Sequence, residues 1–103
     1  GEDEIKLIAI MLGQFRLYTQ VKILQESGQT ESQMVSSLGH YLGRNPNPYQ
    51  IKFALRDSRR LSLDFLQNSI RYLIQADYQI KTGVYEKGYL FEKALLQIAS
   101  QSN

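Results

Sequence analysis

Residues 62–83 of the chain read SLDFLQNSIRYLIQADYQIKTG, and this stretch decides the fold class. Ser62 is a favourable N-cap, Asp64 places a negative charge in the first helical turn, and Gly83 is a common helix stop. Between these signals the apolar side chains recur every three or four residues, which is the period of an amphipathic α-helix. The predicted apolar arc contains Leu63, Phe65, Leu66, Ile70, Leu73, Ile74, Ala76 and Ile80.

Two helices are predicted in the first 42 residues. Residues 3–26 form a long apolar segment with acidic residues at its start, and Ser27-Gly28 ends it. Residues 30–33 read Thr-Glu-Ser-Gln, which is the capping-box pattern that begins a helix. This short second helix ends at Gly39 or continues for one more turn through Leu42.

Two more helices complete the prediction. Asn47-Pro48 is a favourable N-cap followed by a proline at the first helical position, and the helix that it begins runs to about Arg60. The last helix begins near Tyr85 or Glu86 and runs to about Ser100. Because no segment has the alternation of a strand, we predict an all-α chain that forms a single helical bundle of about five helices over residues 1–103.

The helix predicted over residues 3–26 is apolar nearly all round. A helix with this pattern is expected to be buried on nearly every side. In a domain of 103 residues the other helices offer limited cover. A second protein surface is one way to supply the rest.

Composition excludes several classes of site. The chain has no cysteine and a single histidine, His40, so no zinc site of the usual His/Cys type and no disulfide are predicted. It contains no phosphate-binding loop of the GxxxxGK[ST] kind and no nucleophile with a neighbouring base. We therefore expect no catalytic residue, no metal and no cofactor.

Neither a membrane span nor a signal peptide is predicted from the sequence. No uncharged run approaches the roughly 20 residues that a membrane span requires, so no membrane partner is predicted. The start Gly1-Glu2-Asp3-Glu4 is acidic and does not resemble the basic start of a signal peptide. There is no initiating methionine, so we expect the chain to be an excised piece of a longer protein.

Asp77 falls inside the apolar arc of the helix over residues 62–83. An unpaired carboxylate there would be costly, so a partner is expected. Lys81 lies one turn later and is the obvious candidate, which predicts a buried structural ion pair. A backbone N–H at a neighbouring helix start is the other candidate. A catalytic role would need a second converging acid or base, and none is apparent.

Basic residues gather between positions 44 and 60, where Asp57 is the only acid. A solvated face or the rim of a protein interface is the simpler interpretation, because the net charge of the chain is only +2. The alternative is an independent DNA-binding helical domain that uses the basic helix 48–60, although the connection from Gly39 to Asn47 is long for a helix-turn-helix. The candidate phosphate contacts are Arg44, Lys52, Arg56, Arg59 and Arg60.

Several stretches in order resemble a known family. They are Gln14-Phe15-Arg16-Leu17 with Gln20-Val21-Lys22, Asn47-Pro48-Tyr49 before the basic helix, Arg59-Arg60-Leu61-Ser62-Leu63, Ala76-Asp77 through Lys81-Thr82-Gly83, and Phe91-Glu92. Together they resemble the C-terminal domain of the DNA polymerase III delta subunit, a clamp-loader component, over essentially the whole chain. The chain departs from the family pattern at residues 40–45, where a tighter turn is usual, and at residues 85–88, where an Asp-Pro helix start is usual.

The resemblance implies a non-catalytic collar domain, which holds the pentameric loader together while the loader places the sliding clamp on primed DNA. The implied partners are the gamma/tau and delta-prime subunits, with the clamp reached only through an N-terminal domain that is missing here. Contact with DNA is expected to be indirect or weak, and the location is expected to be the bacterial cytoplasm, at the nucleoid-associated replisome. The candidate interface residues are Leu7, Met11, Phe15, Tyr18, Leu90, Phe91, Leu95 and Ile98.

Overall fold

A computed structural model of the chain describes residues 2–44, 46–83 and 85–102. It contains five α-helices and no strand within these ranges, so the predicted all-α bundle is confirmed. The helices are α1 (Glu2–Glu26), α2 (Glu31–Leu42), α3 (Pro48–Ser58), α4 (Leu63–Thr82) and α5 (Lys87–Ala99).

Side-chain caps fix most of the predicted helix starts. At α2 the capping box is complete, because the Gln33 backbone N–H donates to Thr30 Oγ1 at 3.2 Å and the Thr30 N–H donates to Gln33 Oε1 at 2.8 Å. Asn47 Oδ1 caps α3, and Ser62 Oγ caps α4 by accepting from the Phe65 N–H at 3.0 Å. These bonds satisfy backbone donors that the first helical turn leaves free.

Three helix ends lie at or close to their predicted positions, and α2 follows the longer of its two predicted alternatives. Helix α2 continues past the buried Gly39 to Leu42 and ends at Gly43, whose φ of 72° is the left-handed conformation that glycine adopts without strain. Helix α3 ends at Ser58 instead of Arg60. Helix α5 begins at Lys87, one residue after the N-cap Glu86, whose carboxylate accepts from the Gly88 N–H and so takes the place of the usual Asp-Pro start.

Helix α1 belongs to two separate hydrophobic cores. Its first half packs with α4 and α5 in a cluster of buried residues that includes Ile8, Leu73 and Leu90. Its second half packs with α2 and α3 in a cluster that includes Val21 and Ile51. Within the described residues, α2 and α3 contact each other and α1 but neither α4 nor α5, so α1 is the element that joins the two halves.

The joined halves make a thin, elongated body. Its principal dimensions are 44 × 31 × 17 Å, and its radius of gyration is 15.0 Å. A compact domain of this length has a radius of gyration of about 13 Å. A depth of 17 Å corresponds to little more than two layers of helices, so many helix faces have no second layer over them.

This shape corrects the expectation that α1 is buried on nearly every side. Ile10 remains 68% exposed, and Leu7 and Ile23 are about half exposed, so each half of α1 keeps apolar side chains outside the core that it helps to form. The segment Asp3–Glu26 also has the length and apolar composition of a membrane-spanning helix. A core helix of a globular protein meets the same test, and α1 packs against all four other helices. The absence of a membrane partner stays a prediction.

Candidate assembly surface

Large apolar side chains remain exposed on all five helices or beside them. Three lie on α1, two each on α3, α4 and α5, one at the end of α2 and one in the connection between α4 and α5. The exposed set comprises Leu7, Ile10, Ile23, Leu42, Tyr49, Phe53, Ile74, Tyr78, Tyr85, Tyr89 and Leu96. Apolar surface of this extent marks a candidate contact with another protein.

Two of the eight interface candidates belong to the core instead. Leu90 is 1% exposed and Ile98 is 8% exposed, and both pack in the cluster shared by α1, α4 and α5. Their side of α5 faces α4, so they are not available to a partner, and this part of the prediction is corrected. The projection of one helix cannot tell which apolar side meets its own neighbour and which meets another protein.

The other candidates have intermediate positions. Leu7 is exposed, and Leu95 is half-buried. Met11, Phe15 and Phe91 are half-buried and pack on the first core, and Tyr18 packs on the second.

Phe15 and Tyr18 connect the two halves of the molecule. The Phe15 ring meets Tyr18 edge-on at 6.3 Å between centroids and Phe65 at 6.4 Å. The Tyr18 hydroxyl donates to Asp57 Oδ2 at 3.4 Å, and the ammonium of Lys22 donates to the Ser58 carbonyl at 3.3 Å. The Lys22 charge therefore lies at the C-terminal end of α3, where a helix dipole favours a cation.

Comparison with known proteins shows which family this chain resembles in sequence and in fold. The family described as DNA polymerase III delta subunit, C-terminal domain, matches residues 1–98. The chain belongs to the DNA polymerase III delta subunit family. It is 34% identical over 102 residues to the DNA polymerase III subunit delta of Bacillus subtilis (strain 168), covering 99% of this chain and 28% of that protein.

A solved structure has the same fold. The Bacillus subtilis DNA clamp loader delta protein superposes with a TM-score of 0.80 at 33% identity, over 95% of this chain and 27% of that one. The chain thus spans less than a third of the length of the delta proteins that it matches. The matched region is their C-terminal domain.

In this delta-family domain Asp77 pairs with Lys81 as expected, at 2.8 Å between Oδ2 and Nζ. The pair is not buried, however: the Asp77 side chain is 26% exposed and the Lys81 side chain 58%. Asp77 lies at the edge of the apolar arc, where its carboxylate reaches solvent, so the prediction of a buried ion pair is corrected. The pairing with Lys81 accounts for the Asp77 carboxylate without a second acid or base.

The basic candidates do not form one patch. All five are exposed, but Lys52, Arg56 and Arg59 line a shallow depression on α3 together with Glu31, whereas Arg44 lies in a different groove beside α1. Arg56 is engaged by its own helix, since its Nε lies 3.1 Å from Asp57 Oδ1 and its guanidinium covers the Phe53 ring at 5.1 Å. The comparisons give no support to an independent DNA-binding domain.

The described residues contain no group of three or more His, Cys, Asp or Glu side chains that could hold a metal ion. His40 is exposed on α2.

Sequence reasoning missed several exposed apolar residues, among them Ile10, Ile74 and Leu96. A signal for Ile10 was present, because α1 is apolar on more sides than a small bundle can cover. Ile74 was assigned to the buried arc of α4, because a helical projection does not show where that arc ends. Leu96 lies on the side of α5 away from the buried Leu90 and Ile98, and an apolar residue at such a position was a signal that could have been used.

Proposed function

We propose that this chain is the non-catalytic collar domain of a bacterial clamp-loader delta subunit, spanning residues 1–103. It packs against the collar domains of the gamma/tau and delta-prime subunits and so holds the loader together. The loader then places the sliding clamp on primed DNA. The observation that carries the proposal is a delta-family domain only 17 Å deep with apolar side chains exposed on two of its elements, α1 and α5.

A subunit inside a ring or arc needs two different contact surfaces, one for each neighbour. The exposed residues supply two candidates. The first lies on α1, around Leu7 and Ile10, and the second on α5, around Tyr89 and Leu96. The rings of Tyr85 and Tyr89 meet edge-on at 6.0 Å, which extends the α5 surface towards the α4–α5 connection.

The remaining roles follow from this assignment. Contact with the sliding clamp belongs to other parts of the delta subunit, and contact with DNA is indirect or weak. No reaction is assigned to this domain, although the complex that contains it serves DNA synthesis. The domain works in the bacterial cytoplasm, where replication takes place.

Charged substitutions on the two surfaces test the proposal. Leu7→Asp and Leu96→Asp each place a carboxylate where apolar contact is expected, and both side chains are exposed enough for the fold to tolerate the change. We expect each variant to weaken binding to one neighbouring subunit about tenfold or more, measured by titration with purified gamma/tau and delta-prime.

Ser36→Asp is the matched control, because Ser36 is an exposed polar residue on α2. It should bind both subunits as the unaltered chain does. If both leucine variants also bind normally while circular dichroism shows them folded, apolar packing through these two surfaces is wrong.

A further inference from the structure

A groove runs along α1 beside the connection between α2 and α3. Its volume is about 500 Å³, and residues 10–20 of α1 form one wall, a length of about 15 Å or nearly three helical turns. Leu42 at the end of α2, Pro46 in the connection and Gln50 on α3 form the other side. Ile10, Leu17 and Leu42 supply apolar side chains to the lining.

Gly13 lies in the middle of the α1 wall, and nothing inside the described chain explains it. A Cβ added at Gly13 would meet no atom within 4 Å, so no neighbouring element requires a small residue there. A glycine inside a long helix destabilises the helix, because it loses more backbone freedom on folding than any other residue. A residue that is unfavourable for its own helix and open to the outside is suited to the close approach of another backbone.

The charged residues that line the groove are both cations. They are Arg16 and Arg44, and no carboxylate lines the groove with them. Among the described residues, neither arginine forms a salt bridge. Two unpaired guanidinium groups beside an apolar channel favour a partner with carboxylates next to apolar side chains.

We propose that this groove receives a helix of a neighbouring collar domain, which crosses α1 at Gly13 and pairs its carboxylates with Arg16 and Arg44. The inference rests on the proposed collar function and assigns one contact within it. The partner helix presents apolar residues towards Ile10, Leu17 and Leu42. Its backbone lies closest to α1 at Gly13, where the missing side chain leaves room.

A size series at Gly13 tests the inference in the complete delta subunit. Gly13→Ala and Gly13→Leu both replace glycine with a better helix former, so each should raise the unfolding temperature of this domain by about 4 °C. Both should weaken the complex with gamma/tau and delta-prime, Gly13→Leu by about tenfold or more and Gly13→Ala by less. The unfolding temperature thus rises while binding weakens, and a variant that failed to fold could not give both results.

Charge reversal tests the second half. The double variant Arg16→Glu with Arg44→Glu should slow association, and added salt should reduce the difference from the unaltered subunit. Arg71→Glu is the matched control, since Arg71 is an exposed arginine of α4 outside the groove. It should associate at the unaltered rate.

The outcomes separate this inference from the proposed function. If the unaltered subunit forms no complex, the collar function itself fails. If the complex forms and Gly13→Leu binds normally, the function stands and the groove contact is overturned. If Gly13→Leu instead lowers the unfolding temperature of the complete subunit without its partners, the groove is filled by the rest of the same protein. If it converts a self-associated dimer to a monomer, the groove is filled by a second copy. Either result also overturns the groove contact.

Discussion

Asp77 and Lys81 show how little a single ion pair contributes when solvent reaches it. Their atoms lie 2.8 Å apart, but the Lys81 side chain is more than half exposed. A pair of this kind one helical turn apart stabilises a protein by about 0.3–0.5 kcal/mol. The pair therefore orients the surface of α4 without deciding whether the chain folds.

We expect Asp77→Asn to lower the free energy of unfolding by less than about 1 kcal/mol, because both partners stay hydrated when the pair is removed. Urea unfolding of the single variants and of the double variant with Lys81→Met measures the coupling between the two side chains. A loss of about 3 kcal/mol or more from Asp77→Asn would place the pair in the interior, contrary to the structure.

Residue identity predicted the pairing of Asp77 but not its exposure. The helical projection places a side chain at an angle, and exposure depends on which elements lie beyond it. For the same reason Leu90 and Ile98 were assigned to an interface, although their side of α5 meets α4.

At the scale of the element, α1 is the feature on which the rest depends. Its two halves serve two cores, and α2 and α3 reach the remainder of the described structure only through it. Phe15 lies near the middle of α1, and its ring contacts with Tyr18 and with Phe65 join the two halves. Tyr18 and Lys22 hold α1 to the end of α3 by hydrogen bonds. An architecture of this kind favours local opening of one half while the other stays folded.

Two core truncations test this division. Ile51→Ala and Leu73→Ala each remove a fully buried side chain, one from each core. Each should lower the free energy of unfolding by about 2–5 kcal/mol. By native-state hydrogen exchange, Ile51→Ala should lower protection in α2 and α3 while α4 and α5 keep most of theirs. Equal loss of protection in all five helices would show that the domain opens as one unit.

The helices themselves could be predicted from local sequence signals. Caps such as Thr30, Asn47 and Ser62 act within a few residues, so the sequence contains all that their positions require. The end of α3 and the start of α5 were harder to place, because Arg59 and Glu86 are each compatible with a position inside a helix and with a cap position. That α1 divides between two cores could not be predicted, since one helix apolar on most sides is compatible with several arrangements of its neighbours.

At the scale of the whole molecule, the thin body explains why so much apolar surface is exposed. In a domain 44 Å long and 17 Å deep, many helices pack against neighbours on one side and leave another side open to solvent or to a partner. In a delta-family protein we propose that surface as the place of contact between subunits. The order of the sequence features was enough to suggest the family, whereas the exposed apolar surfaces could be identified only from the structure.

The central claim is that this domain assembles through apolar packing, and one measurement tests it most directly. The domain is mixed with the collar domains of gamma/tau and delta-prime from the same organism at moderate and at high salt, and the mass is determined by light scattering after size exclusion. We predict a mixed complex whose mass persists at high salt, because apolar contacts are not weakened by added salt as phosphate contacts are. The absence of any complex, together with salt-sensitive retention of a primed DNA duplex, would contradict the claim.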